Sequence, residues 1–332
     1  MTQQLSGLET LAQVIRDNYP FAKVDTPVPL EAAHQNRHRK MVIRTSVGKF
    51  LVKTYQNNPV VLDALRFQHR LSDHLLKHGL PVAEIQRARN GQRIVAADTW
   101  ALELQRFVDG EPMDVSKKTL AVSAEALGKM HEVCRDFPRP ERDARMWRFS
   151  EVPRDSFAHV YQLAQKQGDP QRVAQDCNRI ALFLHEASQA LSFDARSQFE
   201  TGLIHGDWHG GNLIFEQDRL AAIVDLEFSG DGCYLEDLSY AISNLCVRTT
   251  IMPERLAKRT DIVLDHYQKY RKLSFAEEIA MYYAIGVKHI ATVSYQIQRN
   301  GQVAGHGPRD WMERLAAQSE WLTERAKRIR YG

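Results

Sequence analysis

The chain has 332 residues, 43% hydrophobic and 26% charged, with a formal net charge of +3. These values exclude a disordered or fibrous chain and leave room for one large domain or two ordinary ones. The charge is too small to mark a nucleic-acid binder, and no window approaches eighteen consecutive apolar residues, so neither nucleic acid nor a membrane is an expected partner.

The opening MTQQLSGLETLAQVIRDNYPF has no basic start followed by an apolar run, so no secretory signal is expected. Cys134, Cys177, Cys233 and Cys246 form no CxxC pair and no zinc-finger spacing; they read as free thiols of a cytoplasmic protein. Two basic clusters, Arg37 to Lys40 and Arg325 to Arg330, read as solvated faces whose field would also draw a polyanion.

In chain order, Leu8 to Tyr19 has the spaced apolar positions of a helix. Lys40 to Thr45 and Lys49 to Tyr55 read as strands around a Ser46-Val47-Gly48 turn. A helix is expected over Pro59 to His78, ended by Gly79 and Pro81. Short strands are expected over Val82 to Arg87 and, after the Asn90-Gly91 turn, Arg93 to Ala97. A third run, Trp100 to Val108, follows. Beyond Pro112 the periodicity becomes helical: Lys118 to Cys134, Arg154 to Gln167, Asp169 to Leu191, Pro253 to Arg271, Ser274 to Gln298 and Arg309 to Ile329. The fold class is therefore α+β, with a small antiparallel-sheet lobe over residues 1–106 and a larger helical lobe over 107–332.

One island interrupts the helical half. LIHGDWHGGNLIFEQDRLAAIVDLEFSGDGCY, Leu203 to Tyr234, holds two apolar runs, Asn212 to Phe215 and Leu220 to Leu226, which read as a hairpin. Asp207 and Asn212 lie five apart across Gly210 and Gly211, where a chain turns sharply. Asp225 closes the second run. Two carboxylates and an amide oxygen are hard ligands suited to Mg2+ shared with phosphates, and one carboxylate can orient or deprotonate a hydroxyl. That is the minimum equipment for phosphoryl transfer. His205 and His209 could suggest zinc, but no Cys or further His in the segment completes a set.

HGDWHGGN resembles the HGD-x-x-x-x-N motif of the aminoglycoside phosphotransferase and choline kinase superfamily, which includes the type II homoserine kinases. IVDLEF resembles its following metal-binding segment, and YLEDLSYA its later structural Asp. The resemblance runs from about Lys40 to the C-terminal helices and implies a protein-kinase-like two-lobe fold using ATP and Mg2+. It implies that Asp207 is catalytic, that Asn212 and Asp225 hold the metal, and that His205 and Asp237 are structural. Glu227 would join the metal's outer shell or meet the acceptor; His209 would face the pocket or cap a loop. Lys53 in FLVKTY would meet the nucleotide's phosphates, and the backbone from Glu103 to Phe107 would meet adenine. LGKMHE resembles the family's LG-x-x-x-H helix, with His131 one place early and read as packing.

Two features depart from the family pattern. The helix acid that partners the strand lysine falls near Gln68 and His69, with Asp63 and Asp73 the nearest carboxylates. The stretch before the first strand, AAHQNRHRK, is glycine-poor, so Arg37 or Arg39 would take over contacts to the nucleotide. The expected partner is a small-molecule hydroxyl acceptor. YQKYRKLSFAEE looks like a stretch of homoserine kinase-like members and favours an amino alcohol or hydroxy amino acid. A choline-type acceptor would use an aromatic cage, for which Trp208, Phe228 and Tyr234 are candidates. An aminoglycoside would need an acidic rim, for which only Asp231, Glu236 and Asp237 offer themselves. A sugar or a protein hydroxyl, and a nucleotide-binding scaffold without efficient transfer, are the alternatives. Nothing in the pattern forces a dimer.

Overall fold

The computed structural model describes residues 2–30, 40–138, 142–146, 148–149 and 154–331. Two compact units emerge. One is formed by Met1–Glu111 with Ala221–Glu227, the other by Pro112–Leu220 with Phe228–Gly332.

The first unit begins with α1 (Thr2–Asn18). Leu11 and Ile15, four apart and so on one face, enter a core with Tyr19, Phe21, Val24, Met41, Ile43, Phe50, Val52, Leu102 and Leu104. β1 (Val28–Pro29), β2 (Lys40–Thr45) and β3 (Gly48–Gln56) follow, with a two-residue turn between the last two. The period of two places Phe50 and Val52 on the α1 side and aims Lys53 and Tyr55 at the other face. That second face is buried too, so the strand does not alternate cleanly.

α2 (Pro59–Lys77) starts at Asn58, whose side chain accepts from the Val61 N–H, with Pro59 in the first turn. It stops at Gly79 (φ +70°), where Leu80 and Gly79 donate back to Leu75 and Leu76. β4 (Val95–Ala97) and β5 (Trp100–Arg106) complete a five-stranded antiparallel sheet of order β1-β2-β3-β5-β4. The strand expected over Val82 to Arg87 does not form. This run makes single bridges, Val82 to Ile223 and Ile85 to Gln105, and the change of partner within four residues prevents a ladder. β6 (Glu111–Pro112) ends the first stretch of chain.

The second unit contains α3 (Lys117–Val133), α4 (Arg154–Gln167), α5 (Pro170–Ala190) and the short α6 (Phe193–Arg196). β7 (Thr201–Ile204) and β8 (Leu213–Glu216) come next, and β9 (Arg219–Ile223) carries the chain into the first unit. There Ile223 donates to the Pro81 carbonyl at 2.7 Å, which is why residues 221–227 group with the sheet and not with the helices. The chain returns through β10 (Gly230–Cys233), antiparallel to β7, into α7 (Tyr234–Leu245).

α8 (Pro253–Tyr267), α9 (Phe275–Asn300) and α10 (Pro308–Tyr331) finish the fold. α9 has a Ser274/Glu277 capping box and ends at Gly301 (φ +75°). α8 stops short of the expected Arg271, which turns inward and is 1% exposed.

Candidate active site

In the first unit the chemistry gathers around Asp225. Its backbone is left-handed (φ +61°), a conformation that costs a non-glycine residue energy and that clusters at functional sites. Its carboxylate accepts from Lys53 Nζ at 3.0 Å and from Lys40 Nζ at 2.7 Å. Burial pushes this carboxyl up, but the two ammonium groups outweigh it and hold it well below the usual carboxylate range. Lys53 is 6% exposed. Burial disfavours its charge, yet Asp225 and Glu103 more than compensate and raise its pKa.

Glu103 sits opposite Lys53 in the β3–β5 register. Its buried carboxylate contacts His69 Nε2 at 2.6 Å and accepts from Tyr55 Oη at 3.0 Å and Gln105 Nε2 at 2.8 Å. The acid expected on the helix has thus moved to the strand, and His69 on α2 takes the helix position. Asp63 and Asp73 are not the partners of Lys53; they pair with Arg66 and Arg93. Glu227, in a single 3-10 turn after Asp225, adds to the negative field at Lys53.

Much of the backbone from Glu103 to Phe107, expected to meet adenine, is already hydrogen-bonded. Leu104 O accepts from Gln86, Arg106 N–H donates to Glu84 and Phe107 N–H donates to Lys49. Glu103 also contributes a buried carboxylate. Arg37 and Arg39, expected at the nucleotide, lie outside the described residues.

In the second unit β7 and β10 hold the loop that carries Asp207. Gly206 (φ +81°) approaches the Phe228 carbonyl so closely that a Cβ would lie 2.6 Å from it. Asp207 donates its N–H to His205 Nδ1 at 3.2 Å. Its Oδ1 accepts from Tyr240 Oη at 2.8 Å, and its Oδ2 from Asn212 Nδ2 at 3.1 Å. His209 Nε2 stands 3.4 Å from Oδ2, while its Nδ1 caps the Gly211 N–H. Burial pushes the Asp207 carboxyl up, but the contact with His209, with the Tyr240 hydroxyl and His205, brings it below its ordinary value. Asn212 spends its amide nitrogen on the carboxylate and carbonyl of Asp207, leaving Oδ1 as a hard donor with no partner among the described residues.

A buried chain of polar groups fixes this loop. Asp237, at the start of α7, accepts from the N–H groups of His205 (2.8 Å) and Gly206 (3.1 Å) and from His131 Nε2 (3.0 Å). Burial holds the His131 imidazole neutral against the pull of Asp237, so its Nδ1 accepts from Tyr267 Oη at 2.7 Å. Arg271 donates to that hydroxyl at 3.2 Å and grips Glu277 at 2.7 and 2.8 Å.

Packing places several of the residues singled out around the acceptor in the interior. Tyr267, Arg271 and Glu277, the substance of the YQKYRKLSFAEE motif, are buried architecture. Trp208 is not at the acceptor either. It is fully buried, with its indole N–H on Ser123 Oγ at 2.9 Å, and it cannot join a cage with Phe228 and the buried Tyr234. Glu236 and Asp237 are buried as well, so they form no acidic rim. Conversely, Tyr240 was not anticipated. Its signal was its place three residues after Asp237 on one helix, which puts both on neighbouring faces.

A profile of the phosphotransferase enzyme family (APH) matches residues 29–273. The chain belongs to this family. Among curated proteins, this phosphotransferase is 25% identical over 243 residues to a homoserine kinase of Nitrobacter hamburgensis, covering 72% of this chain and 69% of that one. Among solved structures, an aminoglycoside phosphotransferase from Alicyclobacillus acidocaldarius superposes with TM-score 0.70 at 15% identity, covering 96% and 95% of the two chains. A microcompartment-associated aminopropanol kinase gives 0.66 at 16% identity, covering 97% and 99%. These likenesses establish the α+β, two-lobe kinase-like fold, and with the family match they make the chain a small-molecule kinase.

Proposed function

We propose that this phosphotransferase moves the γ-phosphoryl of ATP, with Mg2+, onto the hydroxyl of a small amino alcohol or hydroxy amino acid. The observation that carries this reading is the Asp207 carboxylate, kept ionised by Tyr240, Asn212 and His209 on a loop pinned through Asp237. An ionised, oriented carboxylate accepts the proton-bearing end of an acceptor hydroxyl and aims its oxygen at phosphorus.

Two side chains, one in each unit, are donors of the type a hard divalent cation takes. Asn212 Oδ1 has no partner among the described residues, and the Asp225 carboxylate is held ionised with lysine ammonium groups as its counterions. Bound Mg2+ would neutralise phosphate charge. Lys53, itself charged, would meet phosphate oxygens, with Glu103 and His69 fixing its surroundings. The homoserine kinase relative supports a hydroxy amino acid or amino alcohol as the acceptor class. The buried state of Trp208, Glu236 and Asp237 takes support away from choline-type and polycationic acceptors.

The test is release of ADP from Mg-ATP against a panel of homoserine, choline, ethanolamine, amino sugars and aminoglycosides. Acceptor-dependent turnover is expected with an amino alcohol or hydroxy amino acid. Asp207→Asn should lower it about 100- to 10,000-fold, the usual worth of a positioned general base. Acceptor-dependent turnover equal in the two proteins would refute the role of Asp207.

A further inference from the structure

Beyond Asp207 and Tyr240, the second unit displays a cation that neither the loop nor the metal ligands explain. Arg248 lies in the 3-10 turn after α7, eight residues past Tyr240 and four past Asn244. It is partly buried, and within electrostatic reach of the Tyr240 hydroxyl and the Asp207 carboxylate. Yet it makes no ion pair with a described residue; its one hydrogen bond runs from Nη1 to the neutral Gln296 Oε1 at 2.9 Å. Partly withdrawing a guanidinium from water without a hydrogen-bonded anion is costly. Nε and Nη2, the side-on edge of the guanidinium, have no hydrogen-bond partner among the described residues. That edge matches the two oxygens of a carboxylate.

The segment is also held in place with buried groups that serve no other visible purpose. Gln318 Nε2 donates to the carbonyls of Val247 (2.7 Å) and Thr250 (3.1 Å), on either side of Arg248. Gln318 Oε1 is in turn fixed by His289 Nε2 at 2.9 Å, and His289 Nδ1 accepts from Ser243 at 3.2 Å. Burial pushes the His289 pKa down to about 3, so the ring stays neutral and works as a rigid connector. Three helices, α7, α9 and α10, thus supply side chains that hold the backbone around an arginine with no ion pair among the described residues. Such second-layer support is what a recognition residue needs to bind a small ligand at a fixed distance from the reacting group.

We propose that Arg248 recognises a carboxylate on the phosphoryl acceptor, so that the substrate class is a hydroxy amino acid and not a simple amino alcohol. This rests on the kinase reading above. Arg248 is a specificity residue: it grips the acid while Asp207 meets the hydroxyl.

The test uses three acceptor pairs that differ only by the carboxylate: serine and ethanolamine, threonine and 1-amino-2-propanol, homoserine and 3-amino-1-propanol. ADP formation from Mg-ATP is followed for the full chain, Arg248→Gln and Arg248→Lys, each checked for an unchanged melting temperature. The wild-type protein should prefer the acid in at least one pair. Arg248→Gln should raise KM for that acid about 10- to 100-fold, the worth of a charge-assisted hydrogen-bonded contact, and collapse the acid-to-amino-alcohol ratio of kcat/KM. Arg248→Lys should recover part of the preference.

A wild-type protein that favours the amino alcohol, or whose Asp207-dependent ATP hydrolysis no acid stimulates, overturns the inference and leaves the kinase reading standing. A ratio unmoved by Arg248→Gln while kcat falls for both members places Arg248 on the transferred phosphoryl group instead, and also overturns it. Absence of any Asp207-dependent ATP turnover removes the kinase reading itself.

Discussion

Asp207 is read from its spacing to Asn212 and Asp225, but its electrostatic state depends on neighbours that spacing does not reveal. The Tyr240 hydroxyl reaches it from α7, and His209, two residues further along the chain, folds back onto it. The carboxyl is lowered from its ordinary value, with burial opposing and His209 the foremost lowering contact. The active form is the carboxylate, so this requirement is met above the folded pKa and lost as pH falls through it. His209→Ala should therefore shift the acid limb of kcat/KM to higher pH. A pH–rate profile of the two proteins checks this, and coincident acid limbs would count against the contact. At the same scale, the exchange of the helix acid for His69 and of a strand residue for Glu103 was hidden. Each residue alone is ordinary at its position, and only the pairing of α2 with β5 shows that they are partners. Trp208 was misjudged for a similar reason: proximity in sequence to a catalytic carboxylate does not fix which way a side chain leaves a loop.

Most helices were legible because their punctuation is chemical. Asn58-Pro59, Ser116, Asp169-Pro170 and the Ser274/Glu277 box mark starts, and Gly79 and Gly301 mark ends. The short elements β1, β10 and α6 were not, because two to four residues carry no period. The motif from Tyr267 to Glu277 was visible, but its meaning was not. It is the far end of a buried relay that begins at Asp237, and burial is a property of packing. The same packing makes a prediction about α3 and α8. A Cβ on Gly128 would stand 2.5 Å from the Tyr267 carbonyl oxygen, so the two helices touch where only glycine fits. Alanine is otherwise favoured in a helix interior by about 1 kcal/mol. Here Gly128→Ala should instead destabilise by about 1–3 kcal/mol, as overpacking does. Urea unfolding reads the sign directly, and a stabilised variant would contradict the contact.

At the scale of the whole chain, two units were foreseen with a boundary near residue 106. The structure places it at Glu111 and returns Ala221–Glu227 to the first unit. A linear reading misses such an excursion, because β9 enters the first unit through one bond to Pro81 and the lysine contacts of Asp225. The excursion gives Asp225 its place beside Lys53. Ligand binding should be felt by the entire fold: Mg-ATP at 100 times its Kd adds about 2.7 kcal/mol to the native state. A rise in melting temperature with Mg-ATP is expected for the wild-type chain. Most of that rise should vanish in Asp225→Asn, which keeps the shape but loses the anionic ligand. A full ligand-induced rise in Asp225→Asn would remove Asp225 from metal binding.

The central claim is that phosphorus moves from ATP to a hydroxyl under the direction of Asp207. Phosphorus NMR of the full chain with Mg-ATP and homoserine, run beside Asp207→Asn, observes that transfer itself. Growth of a phosphomonoester resonance in step with ADP, absent in the variant, is the predicted result. ADP appearing with inorganic phosphate alone, or a phosphomonoester formed equally well by Asp207→Asn, would contradict it.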